Sequence, residues 1–262
     1  MLTRQQIKLI SSLKYKKYRD RHQLFVAEGR KIIEDLCPAF RCRYLVGEEA
    51  EIKALGIDAH EYLYVDDADL LRQISSLSTP HRLLAVFEKP TRPDINNMPP
   101  TKGLTIVLDG IQDTGNLGTI VRIADWFGIR QIVCSPDTAD IYNPKSVQAT
   151  MGAMANVDVA YTDLPDFVGR MKLFDTHVYG TFLDGDNIYR RTLTPSGLIV
   201  MGNEGKGISE RLTPYIDTRL SIPNFSPESR SSESLNVAVA TAVVCSEFLR
   251  GTYADGVLAK QL

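Results

Sequence analysis

Between residues 5 and 17 the apolar positions are Ile7, Leu9, Ile10 and Leu13, with lysines between them, which predicts an amphipathic basic helix. Phe25-Val26-Ala27-Glu28-Gly29 reads as a strand leading into a helix over 30–36, and residues 44–46 and 83–87 read as further strands. Together they predict a small mixed α/β domain over 1–88. Residues 89–102 carry Pro90, Pro93, Pro99 and Pro100 with few apolar side chains, so an extended linker is expected there. A second domain then occupies 103–262.

In that second domain short apolar runs at 104–108, 131–134, 157–160, 177–182, 198–202 and 219–222 alternate with helical patterns. Alternation of this kind predicts a parallel sheet covered by helices on both faces. The last pattern, over 235–250, is apolar almost all round through Val237, Ala238, Val239, Ala240, Val243 and Val244, so this helix is expected to be buried.

Composition narrows the class. With 44 % hydrophobic and 24 % charged residues in 262, the chain is neither disordered nor fibrous. No run approaches eighteen apolar residues, and Arg4, Lys8, Lys14 and Lys16 interrupt the region where a secretory core would lie. A soluble cytoplasmic protein with no membrane partner is therefore expected. Cys37, Cys42, Cys134 and Cys245 are scattered, and His22, His60, His81 and His177 show no ligand spacing with them. The expectation is reduced, packing thiols and no metal.

The net charge of −2 hides an asymmetry. Over residues 1–43 eleven basic side chains stand against four acidic ones, a balance of +7 that leaves −9 for the other 219 residues. A basic arm on an acidic body points to RNA, because phosphate binding draws on lysine and arginine. An ordinary solvated helix face is the plainer alternative.

In an α/β sheet ligands collect at the loops leaving the carboxyl ends of the strands. Three such loops are unusual. The first, after 104–108, leads through Asn116-Leu117-Gly118 to Arg122; Asn116 is expected to cap the following helix, and Arg122 stands off its apolar stripe. A surface ion pair with Asp125 would account for Arg122 equally well. The second reads Gly202-Asn203-Glu204-Gly205-Lys206-Gly207, which fits neither the dinucleotide nor the nucleoside-triphosphate glycine pattern. A tight turn alone would explain its glycines. The third runs from Ile222-Pro223 through a polar stretch to Ser234-Leu235-Asn236-Val237-Ala238. Ser234 is a candidate helix cap, and Asn236 is an amide in the first turn of an apolar helix that needs partners on both sides.

In this order and spacing the three loops resemble the three motifs of the SpoU/TrmH RNA ribose methyltransferases of the SPOUT superfamily, over roughly residues 103–250. A more diffuse resemblance to the family's substrate-binding domain runs through Ile7-Lys8, Leu13, Lys16-Lys17-Tyr18-Arg19, Phe25 to Gly29, and Arg30. The segment 224–233 is longer than usual and lacks the glycine that commonly follows the proline.

The resemblance implies a parallel-sheet α/β domain ending in a trefoil knot, preceded by a small α/β substrate-binding domain. It implies methyl transfer from S-adenosylmethionine to a ribose 2'-hydroxyl of structured RNA, ribosomal RNA before tRNA. Arg122, Asn116, Glu204, Ser234 and Asn236 match the catalytic motif positions, and Thr181, Leu183, Gly202, Ile222 and Leu235 are expected against the cofactor. Lys8, Lys14, Lys16, Lys17, Arg19 and Arg30 are expected to contact RNA. The family's homodimers share the active site between subunits, so Arg122 would serve the cofactor of the partner chain. An RNA-binding or ribosome-assembly factor without turnover is the alternative from another class. A dehydrogenase is disfavoured by the missing fingerprint.

Overall fold

The computed structural model describes residues 2–65, 67–91, 94–226 and 234–254. The chain divides into two compact units, Met1–Arg92 with Asp140–Asn156, and Pro93–Ala139 with Val157–Leu262.

The first unit runs α1 (Arg4–Ser12), α2 (Lys16–His22), β1 (Leu24–Glu28), α3 (Arg30–Leu36), β2 (Cys42–Gly47), α4 (Glu49–Leu55), β3 (Glu61–Tyr64), α5 (Ala68–Ile74) and β4 (Leu83–Glu88). Its sheet has the order β1-β4-β2-β3, antiparallel except for the β2–β3 pair. One face carries Val26, Val46, Leu63, Leu84 and Val86, which bury Ile10, Leu13 and Ile74 of the helices. On β1 and β4 the intervening residues include Phe25 and Phe87, both fully buried and stacked with centroids 5.6 Å apart. Each such ring contributes about 1.5–3 kcal/mol by burial.

Residues 140–156 differ from the expected layout. Although they lie in the sequence of the second domain, they pack in the first unit. Asn143 and Pro144 start α7 (Pro144–Thr150), which lies on β1, and Tyr142 meets the Phe25 ring at 5.0 Å. Burial of this apolar surface, together with an ion pair from Asp140 to Arg19 at 2.7 Å, holds the segment there.

The first helix also departs from expectation. In place of one helix over 5–17 the chain breaks at Leu13, Lys14 and Tyr15 and restarts as α2. Arg19 is only 1 % exposed. Its Nη1 donates to the carbonyls of Leu13 and Lys14, both at 2.9 Å, and its Nε and Nη2 donate to Asp140. A guanidinium with four of its five N–H donors used in this way stabilises the break, and its burial turns it away from solvent.

The second unit continues with β5 (Leu104–Asp109), α6 (Thr114–Trp126), β6 (Gln131–Cys134), β7 (Asp158–Tyr161), α8 (Leu164–Lys172), β8 (Val178–Asn187), β9 (Gly197–Gly202), β10 (Thr218–Ser221) and α9 (Val237–Ala254). Six parallel strands lie in the order β10-β8-β9-β5-β6-β7. Val107, Val133 and Val200 face α8 through Phe167 and Met171, while α6 and α9 pack on each other, α6 also against β6 and α9 against β9. Strands covered on both faces explain the continuous apolar runs.

The proline-rich stretch is not a free spacer along its whole length. Ile95 is buried in the α8 cluster, and Arg170 donates to the carbonyls of Met98 and Ile95 at 2.7 and 2.8 Å. Among the described residues no helix is long and apolar enough to cross a membrane.

Candidate active site

The second and third loops singled out in the sequence converge with the end of β8 beyond the carboxyl ends of β8, β9 and β10. They line a cleft of about 1050 Å³, while the first, after β5, contributes no described residue to the lining. Thr181, Leu183, Gly202, Ile222 and Leu235 all contribute to its wall, as do Glu204 and Ser234. Its volume lies at the upper end of the range for small-molecule sites, and its walls from Ile188, Ile222, Val237, Ala240 and Val244 are apolar.

One wall arises from an irregularity in β8. Gly180 pairs with Arg219 and Asp186 with Leu220, so one step along β10 spans six positions on β8. Residues 181–185 leave the ladder in between, and Thr181, Phe182, Leu183 and Asp184 line the cleft. At Gly185 a Cβ would come within 2.5 Å of the Leu220 backbone, so only glycine lets the excursion rejoin the sheet. The strand therefore extends to Asn187, beyond the expected end at 182. The Arg219 guanidinium sits 3.6 Å from the Phe182 ring centroid and donates to Asp184 at 2.6 Å. This hydrogen bond holds the Asp184 carboxyl below its ordinary pKa.

A second wall is the glycine-rich turn after β9. Asn203 fixes it: Oδ1 accepts from the backbone of Gly205 and Lys206, each at 3.0 Å, and Nδ2 donates to the Gly110 carbonyl at 2.6 Å. The turn is thereby tied to the loop after β5. Sequence reasoning gave Asn203 and Gly185 no role, although an asparagine opening a glycine-rich turn is a recognisable signal.

Three polar motif residues form one chain. Asn236 Nδ2 donates to Asn116 Oδ1 at 2.9 Å, and Asn116 Nδ2 donates to Glu204 Oε1 at 3.0 Å. Asn236 Oδ1 accepts from the backbone of Ala238 and Val239, so it is Asn236 that caps α9 rather than Ser234. The cap of α6 is Asp113, which accepts from the Asn116 backbone at 2.7 Å. With capping done one turn earlier, the Asn116 side chain is left to bridge the other two loops.

Arg122 lies apart from this cluster. It is exposed on α6, has no ion pair with Asp125, and is absent from the cleft lining among the described residues. Trp126, one turn further on, is 86 % exposed, and Leu235 and Val239 at the start of α9 are also open. The apolar surface of α9 is thus only partly buried within the chain. Residues 227–233, most of the elongated segment after Pro223, lie outside the described residues.

Of the six basic residues expected to meet RNA, Arg19 is buried and the other five divide into two groups. Lys8, Lys14 and Lys17 are exposed and unpaired with acids among the described residues. Lys16 pairs with Asp20, and Arg30 pairs with Glu34 and Glu51. All four cysteines are free thiols, and among the described residues no cluster of His, Cys, Asp and Glu could hold a metal.

A six-stranded parallel sheet with a cleft at the carboxyl ends of β8, β9 and β10, its loops joined to the loop after β5 by a chain of amides and a carboxylate, defines an α/β protein of the SpoU/TrmH architecture. The profile of the SpoU rRNA Methylase family matches residues 103–246, and that of the MRM3-like substrate binding domain matches residues 4–85. The chain belongs to the SpoU rRNA methylase family. A 23S rRNA (guanosine(2553)-2'-O)-methyltransferase of Bacillus subtilis is 30 % identical over 92 % of this chain and 94 % of its own length. A TrmH-family structure from Porphyromonas gingivalis matches with a TM-score of 0.87 at 42 % identity, covering 96 % of this chain and 99 % of that one. An AdoMet-bound rRNA methyltransferase from Sinorhizobium meliloti matches with a TM-score of 0.83 at 26 % identity over 96 % of both chains.

Proposed function

We propose that this protein transfers a methyl group from S-adenosylmethionine to a ribose 2'-hydroxyl of ribosomal RNA. The observation that carries the reading is the chain Asn236–Asn116–Glu204, which joins all three motif loops beside the cleft. The cleft suits the cofactor chemically, because apolar side chains such as Ile222, Val237 and Ala240 provide walls for an adenine. When bound, S-adenosylmethionine supplies an electrophilic methyl on a sulfonium. The protein's part is to orient the ribose hydroxyl in line with that methyl and to stabilise charge as the proton leaves. Glu204, Asn116 and Asn236 hold the loops in register for this, Ser234 stands in the cleft wall beside them, and Arg122 binds the target phosphate and the developing alkoxide. Its contribution in this reading is electrostatic, through a delocalised charge and N–H donors aimed at oxygen.

Arg122 stands outside the cleft of its own chain, which supports a homodimer in which it completes the partner's site. The open side chains of Trp126, Leu235 and Val239 supply an apolar face for that contact. The remaining parts of the reading are that residues 1–88 bind RNA, that the domain over 103–262 carries a C-terminal trefoil knot, and that the protein works in the cytoplasm without a metal. The test is transfer of labelled methyl from S-adenosylmethionine to ribosomal RNA, with the product mapped as an alkali-resistant linkage. Cofactor binding without transfer to any RNA would leave a binding or assembly factor in its place.

A further inference from the structure

The α1–α2 corner carries four side chains whose arrangement the methyl-transfer chemistry does not use. Tyr15 and Tyr18 meet edge to face with centroids 6.4 Å apart. Lys14 Nζ lies 5.1 Å from the Tyr15 centroid and Lys17 Nζ 4.9 Å from that of Tyr18. Tyr15 is 54 % exposed, so its ring is open to a ligand. The corner is also rigid. Arg19, buried beneath it, ties down the carbonyls of Leu13 and Lys14 and is itself locked by Asp140. Thus the arginine of the Lys16-Lys17-Tyr18-Arg19 run positions the corner from within, while its neighbours face outward.

An exposed ring flanked by unpaired ammonium groups on a preorganised backbone is suited to an unstacked nucleotide, whose base offers a π-face and whose flanking phosphates offer charge. We infer that the Lys14-Tyr15-Lys17-Tyr18 corner is a contact for single-stranded RNA, with a base stacked on Tyr15 and the adjoining phosphates on Lys14 and Lys17. Lysines held over the rings polarise them and lower the cost of ordering those side chains on binding. A duplex keeps its bases stacked and cannot offer one to Tyr15. The inference rests on the reading of residues 1–88 as the RNA-binding part, and it assigns that affinity to particular side chains.

The test measures binding of the full chain to two labelled oligomers of about twelve nucleotides, an oligoadenylate and an abasic ribose-phosphate chain of equal length. Tyr15→Ala should weaken oligoadenylate binding about tenfold, leave the abasic oligomer unchanged, and leave the salt dependence of binding unchanged. Tyr15→Trp should restore it. Lys14→Ala with Lys17→Ala should weaken binding to both oligomers and reduce the log–log salt slope by roughly 1 to 2. Because Tyr15 is exposed and its backbone bonds do not involve the ring, these variants should fold, which circular dichroism checks. Equal affinities of wild type and Tyr15→Ala for oligoadenylate, an equal loss on the abasic oligomer, or no binding of either oligomer by wild type would overturn the inference. Methyl transfer to ribosomal RNA by the same preparations separates the two readings: turnover without a Tyr15 effect removes this surface alone, and a Tyr15 effect without turnover removes the catalytic reading alone.

Discussion

Asn236 and Asn116, 120 positions apart in sequence, share a hydrogen bond of 2.9 Å whose direction is fixed by their other partners. Asn236 must present Oδ1 to the Ala238 and Val239 amides, so only its Nδ2 is left for Asn116. Asn116 must then accept with Oδ1 and donate with Nδ2 to Glu204. The amide at 116 meets both demands at once, with an acceptor toward Asn236 and a donor toward Glu204.

It follows that Asn116→Asp sets two carboxylates against each other, and methyl transfer should fall more than with Asn116→Ala. Loss of the bridge should cost about 1 kcal/mol, seen as a fall of about 2–4 °C in Tm. Glu204→Gln in the Asn116→Asp background restores a donor and should recover most of that stability, which a thermal double-mutant cycle measures. Simple additivity of the two substitutions would show that the bridge carries no coupling.

Arg122→Ala should fold and bind S-adenosylmethionine normally, since the side chain is exposed and bonded to nothing within the described residues. Single-turnover methyl transfer should drop about 10²–10³-fold, the usual effect of losing a preorganised charge-stabilising group. Co-expression with Asn236→Ala should yield hybrid dimers carrying one intact site and part of the activity. A wild-type rate for Arg122→Ala would remove it from the chemistry, and inactive verified hybrids would remove the shared site.

Trp126→Glu places a charge on a side chain that is 86 % exposed in the single chain. Substitution at such a surface changes the stability of a monomer by less than about 0.5 kcal/mol. Sedimentation equilibrium should nevertheless show the proposed homodimer shifting to monomer, with methyl transfer lost in parallel. An unchanged dimer would place the interface on another face.

Burial pushes the Cys42 and Cys245 thiols up to about 12 and raises Cys134 as well. In the unfolded chain they ionise near 8.5. Because the folded values are the higher ones, their stabilising contribution is complete below about pH 8.5 and is lost progressively as pH rises toward the folded values. The urea midpoint should therefore decline above about pH 9, and Cys245→Ala should make the decline shallower. Native thiols should also resist a disulfide reagent at pH 8 and react once the protein is unfolded.

The elements that the sequence alone determined are those whose signal is local. Residues 131–134 form β6 and residues 30–36 form α3 with the bounds their apolar spacing predicts, because periodicity records which side of a strand or helix is buried. The three motif loops were likewise visible, and their place at the strand ends follows from the parallel sheet. What the tertiary structure decided depends on partners far away in the chain. Helical spacing runs unbroken through Leu13, Lys14 and Tyr15, yet the chain turns there because Arg19 caps the carbonyls and Asp140, 121 residues on, neutralises it. From sequence Arg19 is one more cation beside its neighbours, and only burial distinguishes a charge used inside the fold from one offered to RNA. The same holds for the β8 excursion, set by how closely Gly185 approaches Leu220, and for Asn116, freed to bridge two loops because Asp113 caps the helix. Composition and periodicity register the average environment of a residue, whereas a hydrogen-bond partner or a close backbone approach exists only once distant segments have been brought together.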